Sequence, residues 1–553
     1  MSIKSSTAPS QSGWFSTVFG VDTRSLAAMR IGLGLILLLN LVLAASDVTA
    51  FFTDEGMLPR ADRLELNLDE NYTVPPYMVS VHMLSGSKWF QLTLFGIAAL
   101  FASSVLVGYR TQWSLFASWL LLVGMQARNP LILQGGDDIL KLLTFWSIFL
   151  PLGAKWSVDR RLTRAVVPDW LASLPSAALL MQLGCVYVFS AMLKSHPVWR
   201  TEFSATYFAF ALGHFTRPFG FWLLNYPKFL QMMTVGALVL EFCGPIALLY
   251  PARRSWLRIA IVASFWSLHL GIMSTLSLGL FPATCLVYWL AVLPSGFWDW
   301  SGWKRLSAKG RVGSAHQSTA YCGGHSPPYG FSDSLTEAAL RFVFGVADRP
   351  KWLWAKPTPA CEKLSVAGNV LVFLLLMYVL LLNVTQLQNS PFGLNPGPVR
   401  VLGEAAQMSQ FWALFGPRPP DSAGWFNVRG TLADGSYVNL THPEQPSFET
   451  APPLVSATYP SQHWRKTMMV LFERDCPTHT RCTGEFMRRR WNATHGPEQQ
   501  LVAAEIRWIY KQVVVPGGDS QPASDYTTTV LWHWEQPGPS TNGAVTGLTL
   551  NDR

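Results

Sequence analysis

The chain has 553 residues, is 50% hydrophobic and only 14% charged, and has a mean hydropathy of +0.22. That composition excludes an ordinary soluble protein and fits a polytopic membrane protein, whose 24 Trp and 33 Phe suit aromatic belts at the headgroups. The net charge of +9 is not a nucleic-acid footprint, because Lys and Arg fall largely in loops between apolar runs, so no nucleic-acid partner is expected.

In chain order, residues 1–20 read as a disordered cytoplasmic N-terminus. They are polar and Ser-rich, and no A-x-A-like site follows an apolar core, so the first apolar run is a retained span. Nine apolar runs predict transmembrane helices, at about 26–45, 90–108, 113–127, 139–153, 171–191, 231–250, 257–276, 278–296 and 366–384. Several, including the third and fourth, are shorter than the roughly 20 residues needed to cross the hydrocarbon core. Loop charge sets the orientation. Arg110, then Arg160, Arg161 and Arg164, then Arg253, Arg254 and Arg258, then Lys304, Arg305, Lys309 and Arg311 fall on one side. The acidic loop with Asp47, Asp54, Glu55, Asp62, Glu65, Asp69 and Glu70 falls on the other, so the N-terminus is inside and the C-terminus outside.

Residues 301–365 read as a basic, Gly/Ser/Pro-rich cytoplasmic loop, disordered in part around Ser314–Pro328. Residues 385–553 read as an external domain. Trp425–Gly430, Ser436–Leu440, Thr467–Phe472 and Tyr526–Trp534 alternate as strands do, and Asp434-Gly435 marks a hairpin turn. Glu485–Arg490 and Gln499–Tyr510 read as helices. The expected fold is an all-α polytopic membrane bundle of about nine transmembrane helices with a C-terminal extracytoplasmic β-rich α+β domain.

Ionisable residues in or beside apolar runs are the candidate site. Lys194, at the mouth of the fifth run, must snorkel, sit in a polar cavity or lose its proton; desolvation favours the neutral amine, which is how a lysine becomes a base. Glu241 is mid-span, where a charge costs about 2.5–3.5 kcal/mol, so it needs either a cavity role or a buried partner such as Arg30. His269 is also mid-span and either serves the site or bonds a neighbouring helix. Asp137 and Asp138 either cap the fourth helix or form a cation or proton site. The segment 194–230, with His196 and His214 among many aromatics, reads as an amphipathic interfacial helix. Cys476 and Cys482 suit a disulfide on the outside, with free thiols or a metal site sharing His479 as the alternatives. Cys185, Cys243 and Cys285 read as packing residues. His316, Cys322 and His325 lack ligand spacing, and no metal is expected.

Several segments together resemble the horizontally transferred transmembrane (HTTM) domain family, which includes vitamin K-dependent gamma-glutamyl carboxylase. They are Leu26-Ala-Ala-Met-Arg30-Ile-Gly32, Gly108-Tyr109-Arg110, Trp156-Ser157-Val158-Asp159, Phe189-Ser-Ala-Met-Leu-Lys194 with Trp199, and His269 followed by Leu278-Gly279-Leu280-Phe281. The resemblance covers residues 21–300, and Phe411-Trp-Ala-Leu-Phe-Gly-Pro-Arg-Pro is similar to the tail of bacterial members. It implies a bacterial inner-membrane protein with a periplasmic domain. It also implies a carboxylase-like activity on protein glutamate, with a reduced quinone resembling vitamin K hydroquinone as cofactor. Membrane lipids or quinol, and a secreted protein or peptide substrate, are the implied partners. In the carboxylase a lysine deprotonates the hydroquinone, so Lys194 is the implied base and His269 the residue that orients or protonates a quinone oxygen. Glu241, Asp137, Asp138 and Arg30 would line the cavity or relay protons. The chain departs from the carboxylase at Gly135-Gly136-Asp137-Asp138, where that enzyme has an Asn-His pair. The competing function is a non-enzymatic membrane protein that binds a lipid or displays its external domain to a partner.

Overall fold

All nine apolar runs fold as helices. The structure, a computed structural model, describes residues 13–68, 80–163, 167–251, 255–300, 364–387, 403, 407–442, 449–473, 476–516 and 525–536. The expected cytoplasmic loop with Cys322, Cys361, His316 and His325 lies outside the described residues, as do Asp69, Glu70, Arg164, Arg253 and Arg254.

The helices are α1 (Thr23–Ser46), α2 (Lys88–Val107), α3 (Thr111–Arg128), α4 (Gly135–Ser147), α5 (Leu174–Leu193), α6 (Pro227–Leu248), α7 (Ser255–Thr275), α8 (Phe281–Trp289) and α9 (Val366–Thr385). Their ends follow local chemistry. Asp22 caps α1 by accepting the Arg24 amide at 2.8 Å, and Ser173 opens α5 in a capping box with Ser176. At the end of α2, Gly108 takes φ +72°, where a side chain would be strained and would meet the Arg30 guanidinium.

Six of these helices, α1, α2, α5, α6, α7 and α9, are long and apolar enough to cross a membrane. The other three, α3, α4 and α8, fall short in length or hydropathy. Helix α3 is diluted by Gln112, Ser114, Ser118 and Gln126, while α4 has 13 residues and α8 only 9, extended by one 3-10 turn to Val292. At 1.5 Å per residue, α4 and α8 are too short to span. Nearly all of α4 from Ile139 to Ser147 is buried among the other helices.

The connections gather at two ends. At one, Arg24 pairs with Asp299 at 2.8 Å, Ser25 bonds the Leu293 carbonyl at 2.7 Å, and Asp159 accepts the amides of Arg110 and Thr111, both at 2.8 Å. At the other end, the acidic loop and the 194–230 segment meet a C-terminal unit. Asp62 pairs with Arg481 at 2.8 Å, and the Thr216 carbonyl accepts from Ser456 at 2.7 Å. The 194–230 segment is not one amphipathic helix. It is broken into Pro197–Arg200, Ala205–Ala211 and Pro218–Leu223, two of which start at a proline.

The C-terminal unit is an antiparallel sheet of β1 (Ser422–Leu432), β2 (Tyr437–Asn439), β3 (Leu501–Gln512) and β4 (Thr527–Glu535), in the order β2-β1-β3-β4. Helices α10 (Gln462–Glu473) and α11 (Pro477–Thr494) complete it. Gly435 turns the β1–β2 hairpin at φ +82°. Two expectations are corrected here. Thr467–Phe472 is part of α10, because His463, Trp464, Thr467, Met468 and Leu471 bury one helical face. Gln499–Tyr510 is mostly β3, where Ala504, Ile506 and Trp508 are buried at every second position against β1.

Candidate functional site

Helix α5 delivers three polar side chains at helical spacing: Tyr187, Ser190 and Lys194, seven residues from first to last and so on one face. Lys194 is the C-cap of the helix. The last carbonyls of α5 would otherwise be orphans, and the Arg200 guanidinium takes two of them, Ala191 at 2.7 Å and Lys194 at 2.8 Å. This fixes the backbone that carries the ammonium.

Lys194 is 3% exposed, and its Nζ donates to Glu241 Oε2 on α6. The ammonium also stands 4.6 Å from the centre of the Trp199 ring, whose indole N–H donates to the Phe415 carbonyl at 3.1 Å. Glu241, a mid-span charge in need of a partner, thus has Lys194 and not Arg30. Arg30 faces the opposite end, donating to the carbonyls of Val105 at 3.3 Å and Trp156 at 2.6 Å.

Helices α6 and α7 run antiparallel and touch where Gly244 meets Phe265; a Cβ there would stand 2.6 Å from the ring. Glu241 lies one turn from Gly244 and His269 one turn from Phe265, both toward the C-terminal unit, so the two sit at a similar depth. His269 Nε2 bonds the Tyr187 hydroxyl at 2.7 Å, and the Trp289 indole donates to the same oxygen at 2.9 Å. An indole N–H can only donate, so the Tyr187 oxygen accepts from Trp289, and the direction of its bond to His269 Nε2 follows the imidazole tautomer. Nδ1 is buried without a hydrogen-bond partner among the described residues, and so is Ser190 Oγ. Orphaned polar atoms of this kind are uncommon and mark where a ligand group or water can bind.

The aspartates stand apart. The Asp137 carboxylate accepts the Gln134 amide at 2.8 Å, closing a capping box on α4, and Asp138 pairs with Lys141 at 2.9 Å. No hydrogen bond or ion pair joins either to Lys194, Glu241 or His269 among the described residues. His196 caps the short helix after Lys194, accepting the Val198 amide at 3.3 Å. His214 is buried beside Phe215 and Trp508, with both ring nitrogens unpartnered among the described residues.

The expected Cys476–Cys482 disulfide is not formed; both are buried thiols. Cys476 caps α11 and Cys482 lies six residues on, about 9 Å along the helix axis, beyond the reach of a disulfide. Among the described residues no group of three His, Cys, Asp or Glu side chains is placed to hold a metal ion.

Sequence reasoning missed that the segment 407–417, read as part of the external domain, packs inside the bundle. Met408 and Trp412 are fully buried. Gln410 Oε1 accepts from Gln182 at 2.7 Å and from the Trp412 indole at 2.7 Å, while Trp146 donates to Gln182 at 3.3 Å. Gly416 lies against the backbone of Leu193, so this segment also walls the site at Lys194. A sequence signal for that packing was the density of aromatics in Phe411-Trp-Ala-Leu-Phe. Comparison with family models, with curated proteins and with solved structures finds no match for this chain.

Proposed function

We propose that this integral membrane protein is an HTTM-class enzyme that moves a proton at the Lys194–Glu241 pair, acting on a lipophilic quinol in a reaction related to gamma-glutamyl carboxylation. The observation that carries the proposal is the succession of two buried pairs along one face of α5, Tyr187 with His269 and, two turns on, Lys194 with Glu241, with His269 Nδ1 and Ser190 Oγ unpartnered among the described residues. The reading also takes the C-terminal unit as extracytoplasmic, in a bacterial inner membrane, which the clustering of the acidic loop with that unit supports.

A neutral Lys194 accepts a proton from an acidic hydroxyl, and the Glu241 carboxylate stabilises the ammonium that results. The ion pair is then the state after proton uptake. His269, held by Tyr187 and Trp289, presents Nδ1 to an oxygen of the bound group, and Ser190 supplies a second contact. A reduced quinone, when bound, would supply the hydroxyl and the reducing equivalents. Arg30, Asp137 and Asp138 take no part.

A second reading has a specific observation behind it: a buried Lys–Glu pair satisfies both charges by itself and serves a non-enzymatic membrane protein equally well. The test is quinol oxidation by purified membranes with labelled carbon dioxide and a glutamate-rich peptide. Lys194→Arg keeps the ion pair and removes the base, so a stable variant without turnover supports the enzyme. Turnover that is equal in wild type and Lys194→Arg, or absent in both, leaves the structural reading standing.

A further inference from the structure

The surface of α1 carries an exposed apolar stripe, Leu35, Leu39 and Val42, 53%, 44% and 64% exposed. Their spacing continues to Ser46, the last residue of the helix, so all four share one face. Ser46 is where the stripe ends and a cleft of about 800 Å³ begins, between the end of α1 and the helices α10 and α11. The cleft floor is apolar, with Ala50, Trp464 and Phe486, and its upper wall presents Arg489 and Arg490.

The cleft's charges do not cancel among themselves. Asp47 is engaged by His463 Nδ1 at 3.0 Å and by Ser461. Asp54 is held by Arg60 at 2.8 Å, with Arg128 at 3.9 Å. Arg489 donates to the Gly56 carbonyl at 3.4 Å, and Arg490 lies 5.7 Å from the Trp464 ring; neither has a carboxylate partner among the described residues. Neighbouring arginines on α11 are already spent, Arg481 on Asp62 and Arg488 on Glu485, both at 2.8 Å. Two guanidinium groups therefore face one uncommitted carboxylate, Glu55, above a cleft that opens onto the side of a membrane-spanning helix.

We infer that this cleft binds one anionic phospholipid, its phosphate between Arg489 and Arg490 and an acyl chain along Leu35, Leu39 and Val42. Guanidinium groups match phosphate oxygens geometrically and are less strongly hydrated than ammonium. The end of a span lies at headgroup depth, so the phosphate and the stripe are separated as the two halves of a lipid are. A soluble phosphate ester would use the arginines but gain nothing from the stripe. The site is independent of the chemistry at Lys194.

The test places full-length protein in nanodiscs of phosphatidylcholine doped with phosphatidylglycerol and counts retained lipids by native mass spectrometry. One phosphatidylglycerol should be retained in preference to phosphatidylcholine. R489Q and R490Q should each lower that preference about fivefold, taking about 1 kcal/mol for each basic residue near the surface. R489K/R490K should keep most of it, and Glu55→Gln should raise it. An unchanged preference in a folded R489Q/R490Q protein overturns the inference, as does displacement by glycerol phosphate at the concentration at which the lipid binds. Should the Gln variant not fold, salt replaces it: a wild-type preference equal at low and high salt has the same negative meaning.

Discussion

Gln182 of α5 and Gln410, separated by 228 residues, are bonded side chain to side chain at 2.7 Å inside the bundle. The pair is the centre of a polar chain in which Trp146 and Trp412 donate to the two amide oxygens, and Gln386 donates to the Gln410 carbonyl at 2.7 Å. Removing one member leaves the others buried and unsatisfied. Gln410→Leu should cost about 1–3 kcal/mol for each group orphaned, while Q182L/Q410L should cost less than the two single changes combined. A double-mutant cycle on detergent-solubilised protein measures this; strict additivity would mean the amides are not coupled.

The Lys194–Glu241 pair predicts a sharper pattern. Lys194→Met and Glu241→Leu each abandon a buried charge and should destabilise by about 3–5 kcal/mol, whereas the double variant should recover most of the loss. Thermal unfolding of the three variants checks this. A double variant as unstable as the two single ones combined is the contrary result.

His214 gives a pH dependence. Burial, and then the Arg465 guanidinium, push its imidazole down from 6.5 to about 3. A base held neutral in the folded state contributes stability that is present in full above about pH 6.5 and lost as the pH falls from there toward 3. At pH 5 the loss should be about 2 kcal/mol. The difference in melting temperature between wild type and His214→Leu should therefore shrink or reverse on going from pH 7 to pH 5. A constant difference contradicts the assignment.

Gly279, at φ +60°, faces the side-chain oxygen of Gln462 on α10. Gly279→Ala imposes a left-handed conformation on a residue with a Cβ and displaces that glutamine. A loss of about 1–2 kcal/mol is expected, together with faster proteolysis of the C-terminal unit. Gly96→Ala, where a Cβ meets nothing within 4 Å, is the control and should be neutral or stabilising.

Cys476 and Cys482 offer a direct check on the absent disulfide. Both thiols should resist maleimide in the folded protein and react after denaturation without any reductant. A reductant should leave the melting temperature unchanged.

The helical runs were legible because membrane spans write their hydrophobicity locally. Lys194, Glu241 and His269 were legible for the same reason, each an ionisable group in an apolar stretch. Their pairing was not. Arg30 was as plausible a partner for Glu241 as Lys194 until helix direction and depth were known, and Tyr187 looks like any apolar-run tyrosine. In the C-terminal unit, Thr467–Phe472 and Gln499–Tyr510 were assigned the wrong way round. Short apolar stretches satisfy both periods, and the contact with β1 decided the second. Gln410 was invisible because its partner is held only by the tertiary fold.

The burial of Met408 and Trp412 has a consequence for biogenesis. The segment that fills the bundle between α4 and α5 emerges from the ribosome after the ninth helix, when every other wall of that slot is already in the bilayer. Translocon insertion therefore yields a hollow intermediate in which Gln182, still bonded to Trp146, lacks Gln410, and maturation waits on a polypeptide stretch returning from the water side. A chain truncated before residue 407 should insert with all its helices and still never reach the mature fold.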